Sequence, residues 1–118
     1  MPHIVPVPHT PDDATRAPVA TDRLVDGQPW QAVGNAYSTH DDRFHCGVWE
    51  GDVGRWRVHY TEHEFCHLLS GRVRLRGDDG SDVLLQAGQS FVVPAGFTGT
   101  WEVQEAARKL YAIYEPGD

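Results

Sequence analysis

Residues 54–77 read GRWRVHYTEHEFCHLLSGRVRLRG, and this stretch decides the fold. Trp56, Val58 and Tyr60 alternate with Arg55, Arg57 and His59. A two-residue period of this kind belongs to a strand with one face on a core, so the three larger apolar residues turn inward. After Thr61-Glu62-His63, the run Phe65 to Leu69 reads as a second strand, closed by Ser70-Gly71. Val73 and Leu75 then alternate with Arg72, Arg74 and Arg76, a third strand with a charged outer face. Gly77-Asp78-Asp79-Gly80 carries the residue types of a hairpin turn.

The same text continues on both sides. Upstream, Phe44 to Trp49 reads as a strand, closed by the turn Glu50-Gly51-Asp52-Val53-Gly54. Downstream come short strands at Val83 to Leu85, Phe91 to Val93, Thr100 to Val103 and Lys109 to Tyr114. Ala87-Gly88 and Pro94-Ala95-Gly96 separate the earlier ones, and Glu105-Ala106-Ala107-Arg108 reads as a single helical turn. Seven or eight short strands with turns every six to twelve residues predict an all-β barrel or sandwich. Before residue 44 the text differs. Pro2, Pro6, Pro8, Pro11 and Pro18 break ladders and helices, leaving at most one helical turn at Thr10-Pro11-Asp12-Asp13. Residues 1–43 therefore read as an N-terminal arm and 44–118 as the barrel. Ile4, Val5, Val7 and Val19 make the arm too apolar for a free tail, so it packs on the barrel or on a partner subunit.

With 118 residues the chain holds one core. Its hydrophobic fraction of 40% is enough to form it. Seventeen acids against ten bases give a net charge of −7, which argues against a nucleic-acid partner and against anionic membrane surfaces. No apolar run approaches the roughly 20 residues of a membrane span, and the N-terminus has neither the basic start nor the apolar stretch of a signal peptide. Two cysteines, Cys46 and Cys66, are too few for a disulfide scaffold, so a reducing, cytoplasmic setting is expected.

Two stretches resemble the cupin superfamily, within its small single-domain branch near ureidoglycine aminohydrolase (DUF861-like). One is Gly54 to Gly71; the other is GQSFVVPAGFTGTW, Gly88 to Trp101. Glu64 and Gly71 fit the spacing of the first cupin motif, and Gly88, Pro94 and Gly96 fit the second. The resemblance covers roughly residues 44–115. It implies a double-stranded β-helix, a jelly-roll barrel with one open mouth. It also implies a test for a metal, because metal-binding cupins place two histidines and a glutamate from the first motif, and a histidine from the second, inside the barrel. Here the histidine positions are Val58 and Tyr60, or Arg57 and His59 in the alternative spacing, and the second-motif position is Gly99. Only Glu64 has a ligand type pointing inward, and one carboxylate does not hold a transition metal. His59, His63 and His67 recur every four residues, but on strands that spacing spans roughly 13 Å, too far for one ion. Glu62, His63 and Glu64, with Cys66 beside them, remain weak metal candidates. No cofactor is expected, and a divalent metal is possible but not expected.

By period two, Cys66 shares the face of Glu64, and Trp101 that of Gly99. Trp56, Tyr60, Glu64, Cys66, Trp101 and Tyr111 then line either a small-ligand pocket or a plugged barrel, and Lys109 shares a face with Tyr111. Burial should raise the pKa of Glu64 above about 4.3 unless the Tyr60 hydroxyl or the Lys109 ammonium pairs with it. Three readings follow. The first is a cupin that binds a small polar or aromatic ligand through a degenerate metal site. The second is a small acid–base enzyme, an isomerase, lyase or ureide- or sugar-type hydrolase, using Glu64 with Tyr60 or Lys109. The third is a structural module of the kind the ethanolamine-utilisation cupins suggest. Unprotected sheet edges and the apolar arm predict a homodimer.

Overall fold

The computed structural model describes residues 2–12 and 15–117. All its elements are strands: β1 (Ala17–Pro18), β2 (Leu24–Asp26), β3 (Trp30–Ser38), β4 (Phe44–Gly51), β5 (Gly54–His59), β6 (His63–Gly77), β7 (Asp82–Gln86), β8 (Ser90–Val93) and β9 (Thr98–Tyr114). They form one curled antiparallel sheet, an open half-barrel of the kind the alternating text predicts. β3 lies within the segment read as an arm and pairs along β4 from Gln31↔Gly51 to Ser38↔His45. The helical turn expected at residues 10–13 runs into residues outside those described.

Two long strands organise the sheet. β9 pairs along β6 from His63↔Tyr114 to Gly77↔Gly99. The other edge of β9 is shared, β5 covering residues 98–103 and β4 covering 107–114. The other edge of β6 is shared in the same way by β8, at residues 64–67, and β7, at 72–76. The sequence reading divided both long strands, at Ser70-Gly71 and at the supposed helical turn 105–108. The structure instead keeps each strand continuous and absorbs the disturbance as register irregularities between Leu68 and Val73. Gly71 makes this possible. Its φ is +87°, and a Cβ there would collide with the carbonyl oxygen of Ala106 and come within 2.7 Å of that of Glu105. A bulge at this point bends the ribbon, and the segment 105–108 keeps its ladder bonds to β6 and stays extended.

The inner face of the ribbon carries the core. Leu68, Val73, Leu75, Trp101, Val103 and Ala107 are all buried on it. The outer face carries the arginines, as the alternation predicts. Arg74 makes two 2.7 Å contacts to Asp82, and Arg57 pairs with Asp78 across the Gly77–Gly80 turn. These exposed pairs fix local geometry and add little stability. In the arm, Pro11 is buried and packs against β3, so close that a Cβ on Gly34 would lie 3.3 Å from its Cα. Val19 also reaches the core, whereas Ile4 is 96% exposed.

Candidate functional site

At the open end of the half-barrel lies a cavity of about 430 Å³. Each side chain on it arrives by strand alternation. β6 turns Glu64 and Cys66 inward, and β9 turns Trp101, Lys109 and Tyr111 inward, so Lys109 and Tyr111 share the interior face. β5 contributes Trp56 and Val58. Tyr60 follows β5 in a loop pinned by Tyr60 N–H to Phe97 O (2.9 Å) and Gly96 N–H to Tyr60 O (2.7 Å). Its ring meets Phe97 edge to face, with centroids 6.2 Å apart.

The floor is an ion pair. Lys109 Nζ donates to Glu64 Oε2 at 2.8 Å, with the two residues 5% and 6% exposed. The Cys66 thiol donates to the same oxygen at 3.3 Å. The ammonium also lies 4.4 Å from the ring centroid of Trp101 and 5.1 Å from that of Trp49. Two indole faces thus supply part of what water would give a buried cation. Of the two ways to tame an interior carboxylate weighed from sequence, the fold uses pairing with Lys109.

The electrostatics follow from this crowding. Burial of Lys109 works against its charge, but Cys66, Glu64 and Tyr60 outweigh it and hold the amine above the usual lysine range. Burial pushes the Cys66 thiol up to about 12, with Lys109 opposing and Glu64 adding to the rise. Burial likewise raises the Tyr60 phenol well above its usual range, and it lifts Tyr111 to about 12. Near neutral pH the cavity therefore holds a thiol, two neutral phenols and an ammonium.

Tryptophan both fills and lines the barrel. Trp101 is 2% exposed and meets Trp49 edge to face at 5.7 Å, and Trp49 meets Trp56 at 6.4 Å. Trp49, Gln31 and Asn35 belong to the site and were not foreseen. Trp49 Nε1 donates to Gln31 Oε1 (3.0 Å), and the Tyr111 hydroxyl donates to Asn35 Oδ1 (2.9 Å). The register Asn35↔Gly47↔Tyr111 sets the second contact, and Gly47 leaves room for it, since a Cβ there would sit 2.8 Å from the Tyr111 hydroxyl.

The weak metal candidates do not converge. His63 accepts from Ala95 N–H (3.1 Å) and stacks on Tyr114 at 6.4 Å. Glu62 shares Thr61 with Glu115, and burial together with Glu115 and Glu64 raises its pKa. Among the described residues no group of three or more His, Cys, Asp or Glu is gathered as for an ion. The ligand set of a metal cupin does not fit this cavity. A metal on Glu64 would lie about 2.0–2.2 Å from a carboxylate oxygen, and the Lys109 ammonium already stands 2.8 Å from that oxygen. Gly99 has no space for a histidine either, because its Cβ would collide with the Arg76 carbonyl oxygen.

The match to a family model, described as an EutQ-like cupin domain, covers residues 38–111. None of the curated proteins matches the sequence. Among solved structures, a DUF861-family protein of unknown function from Pseudomonas syringae pv. tomato is 22% identical, with TM-score 0.75 over 94% of this chain. This chain spans only 44% of that protein's length. The EutQ protein of Clostridium difficile is 19% identical, with TM-score 0.71, covering 90% of this chain and 80% of its own. A DUF861-family protein from Thermotoga maritima reaches 31% identity with TM-score 0.53, over 54% of this chain and 73% of its own.

Proposed function

The chain belongs to the EutQ-like cupin domain family, and from that premise we propose that it binds a small polar or aromatic molecule inside the half-barrel without a metal. One observation carries this reading: a cavity of about 430 Å³ remains open beside three tryptophans and a buried ion pair. A barrel built only for stability would close this space, because a buried ion pair stabilises less than apolar residues of the same volume. The volume falls in the ordinary range for small-ligand sites.

Binding is favoured over acid–base catalysis by the protonation states. The Cys66 thiol, the Tyr60 and Tyr111 phenols and the Lys109 amine all lose their protons only well above neutral pH. A catalytic acid or base works best with a pKa near the operating pH. Glu64 is committed to Lys109 and Cys66. The hydrolase activity of the ureidoglycine aminohydrolases is not carried over, because it rests on inward metal ligands that have no counterpart at Val58, Tyr60 and Gly99.

The test is a fragment screen by ligand-observed NMR with wild type and a Val58→Trp variant, which fills the cavity wall. Hits with wild type that vanish with the variant are expected. A screen whose hits bind both proteins equally, or that yields none, overturns the reading.

The expected homodimer and a cytoplasmic setting belong to the same proposal. An outward row Val92, Phe65, Ala112, Cys46, Tyr37 crosses five strands in register. Val92, Phe65 and Tyr37 on it are 60%, 50% and 44% exposed. At about 4.8 Å per strand the row is roughly 20 Å wide, a face suited to a second copy. Light scattering should give the dimer mass for wild type and the monomer mass for Phe65→Glu.

A further inference from the structure

The hydrogen-bonding groups around the cavity are unevenly spent. Three acceptor atoms on its lining are used internally. Glu64 Oε2 takes Lys109 and Cys66, Gln31 Oε1 takes the Trp49 indole, and Asn35 Oδ1 takes the Tyr111 hydroxyl. The donors are not. Among the described residues, the Arg23 guanidinium, the Gln31 amide N–H groups and the Trp56 indole N–H meet no protein acceptor, although all three residues line the cavity. A guanidinium alone offers five N–H donors in a planar fork.

The charges lean the same way. The aromatic box formed by Trp49 and Trp101, where an incoming cation would sit, is filled by the protein's own ammonium. The carboxylate that such a cation would pair with is neutralised by that same group. Arg23 is left as the cation at the mouth without an ion pair among the described residues. Glu62 is the one acid beside it on the cavity wall, and it lies within reach of Thr61 and Glu115. The lining also includes the indole planes of Trp49 and Trp56 and the apolar side chains of Val58 and Ile113.

From this imbalance we infer that the cavity takes a small planar organic acid, with its carboxylate held by Arg23 and the free N–H groups of Gln31 and Trp56 and its apolar body against the indoles. The inference rests on the ligand-binding reading above and names the class of ligand. A carboxylate matches the guanidinium fork in two parallel bonds and supplies the acceptors that the cavity has spent. A cationic ligand would have to displace Lys109 from Glu64 and from both indole faces. A neutral amide would satisfy fewer of the donors and gain nothing from the unpaired charge.

Three probes of one shape separate these classes: benzoate, benzamide and benzylamine. Binding is read from tryptophan fluorescence and saturation-transfer NMR with wild type and with Arg23→Gln, whose long exposed side chain can be changed without touching the core. Benzoate is expected to bind at least tenfold more tightly than benzamide, and benzylamine not at all. Arg23→Gln should reduce the benzoate preference to within about twofold while leaving benzamide unchanged. Benzamide or benzylamine binding as tightly as benzoate, or a benzoate preference untouched by Arg23→Gln, overturns the organic-acid class while the binding site itself stands. Failure of all three probes to perturb the indoles overturns both.

Discussion

The two ends of the β6–β9 ribbon share strands, face and curvature, and they are built in opposite ways. Beyond the Gly71 bulge, the inward positions are Val73 and Leu75 on β6 and Trp101 and Val103 on β9, in register as Val73↔Val103 and Leu75↔Trp101. Before it, the inward positions are Glu64, Cys66, Lys109 and Tyr111, in register as Cys66↔Tyr111 and Leu68↔Lys109. The first end is packed with apolar side chains up to Trp101, whose ring also borders the cavity. The second carries a buried ion pair under an open cavity. Burial of apolar area stabilises the first at roughly 25 cal/mol per Å². Burial of two charges stabilises the second little or not at all against an apolar alternative of equal size. The difference teaches that a single ribbon can separate its duties along its length, one end holding the fold and the other holding a costly buried ion pair beside an open cavity.

Breaking the apolar end should cost most. Trp101→Ala removes a side chain in contact with Trp49, Phe91 and Lys109, and a loss of about 4 kcal/mol is expected in urea denaturation. A loss under about 1 kcal/mol would mean that this end does not hold the domain. The polar end should respond asymmetrically. Lys109→Ala strands the Glu64 carboxylate and should cost about 3 kcal/mol, whereas Lys109→Met combined with Glu64→Leu should be neutral or stabilising. The same denaturation series decides it, and a double variant as damaged as the single one would show that the pair is a structural necessity. The hinge between the two ends comes next. Gly71→Ala places a Cβ at positive φ against the Ala106 carbonyl and should cost about 2 kcal/mol.

The smallest effect sharpens the comparison through pH. The thiol of Cys66 has a folded pKa of about 12 against an ordinary 9.0. Because the folded value is the higher one, its contribution is complete below pH 9 and declines as the pH rises toward 12. By pH 9.5 the decline amounts to about 1 kcal/mol. Cys66→Ala should therefore lose that much less stability than wild type between pH 8 and pH 9.5 in parallel urea melts. Equal losses would place the thiol in a wetter setting than the structure gives it.

Much of this was legible in the residues. Arg72 to Arg76 and Arg55 to His59 alternate so regularly that strand, inner face and outer charge follow at once. The glycine and proline spacing from Gly54 to Gly96 fixed the order of the turns. Gly71 misled, because a glycine after a serine reads as a chain reversal, and only pairing with the whole length of β9 turns it into a bulge within one strand. Glu105 to Arg108 misled for a related reason. Its local preference is helical, and ladder bonds to β4 and β6 on either side override that preference.

Strand β4 shows the deeper limit. Phe44, Cys46 and Val48 form its more apolar face, and period two alone would place them inside. They lie on the outer face of the sheet, where Val48 is buried beside Pro11 of the arm, and His45, Gly47 and Trp49 face the cavity, because the register with β9 sets Gly47 opposite Tyr111 and Trp49 opposite Lys109. The sequence by itself determined the all-β class and the replacement of the metal-cupin histidines at Val58, Tyr60 and Gly99, and through the cupin resemblance it pointed to Glu64, since these depend on residue type and on spacing along the chain. Only the tertiary structure decided that Lys109 neutralises Glu64, that Trp49 completes the aromatic wall and that unspent donors ring the cavity. Those facts depend on which residues of different strands come face to face, and register between strands is a property of the assembled sheet that no single strand carries.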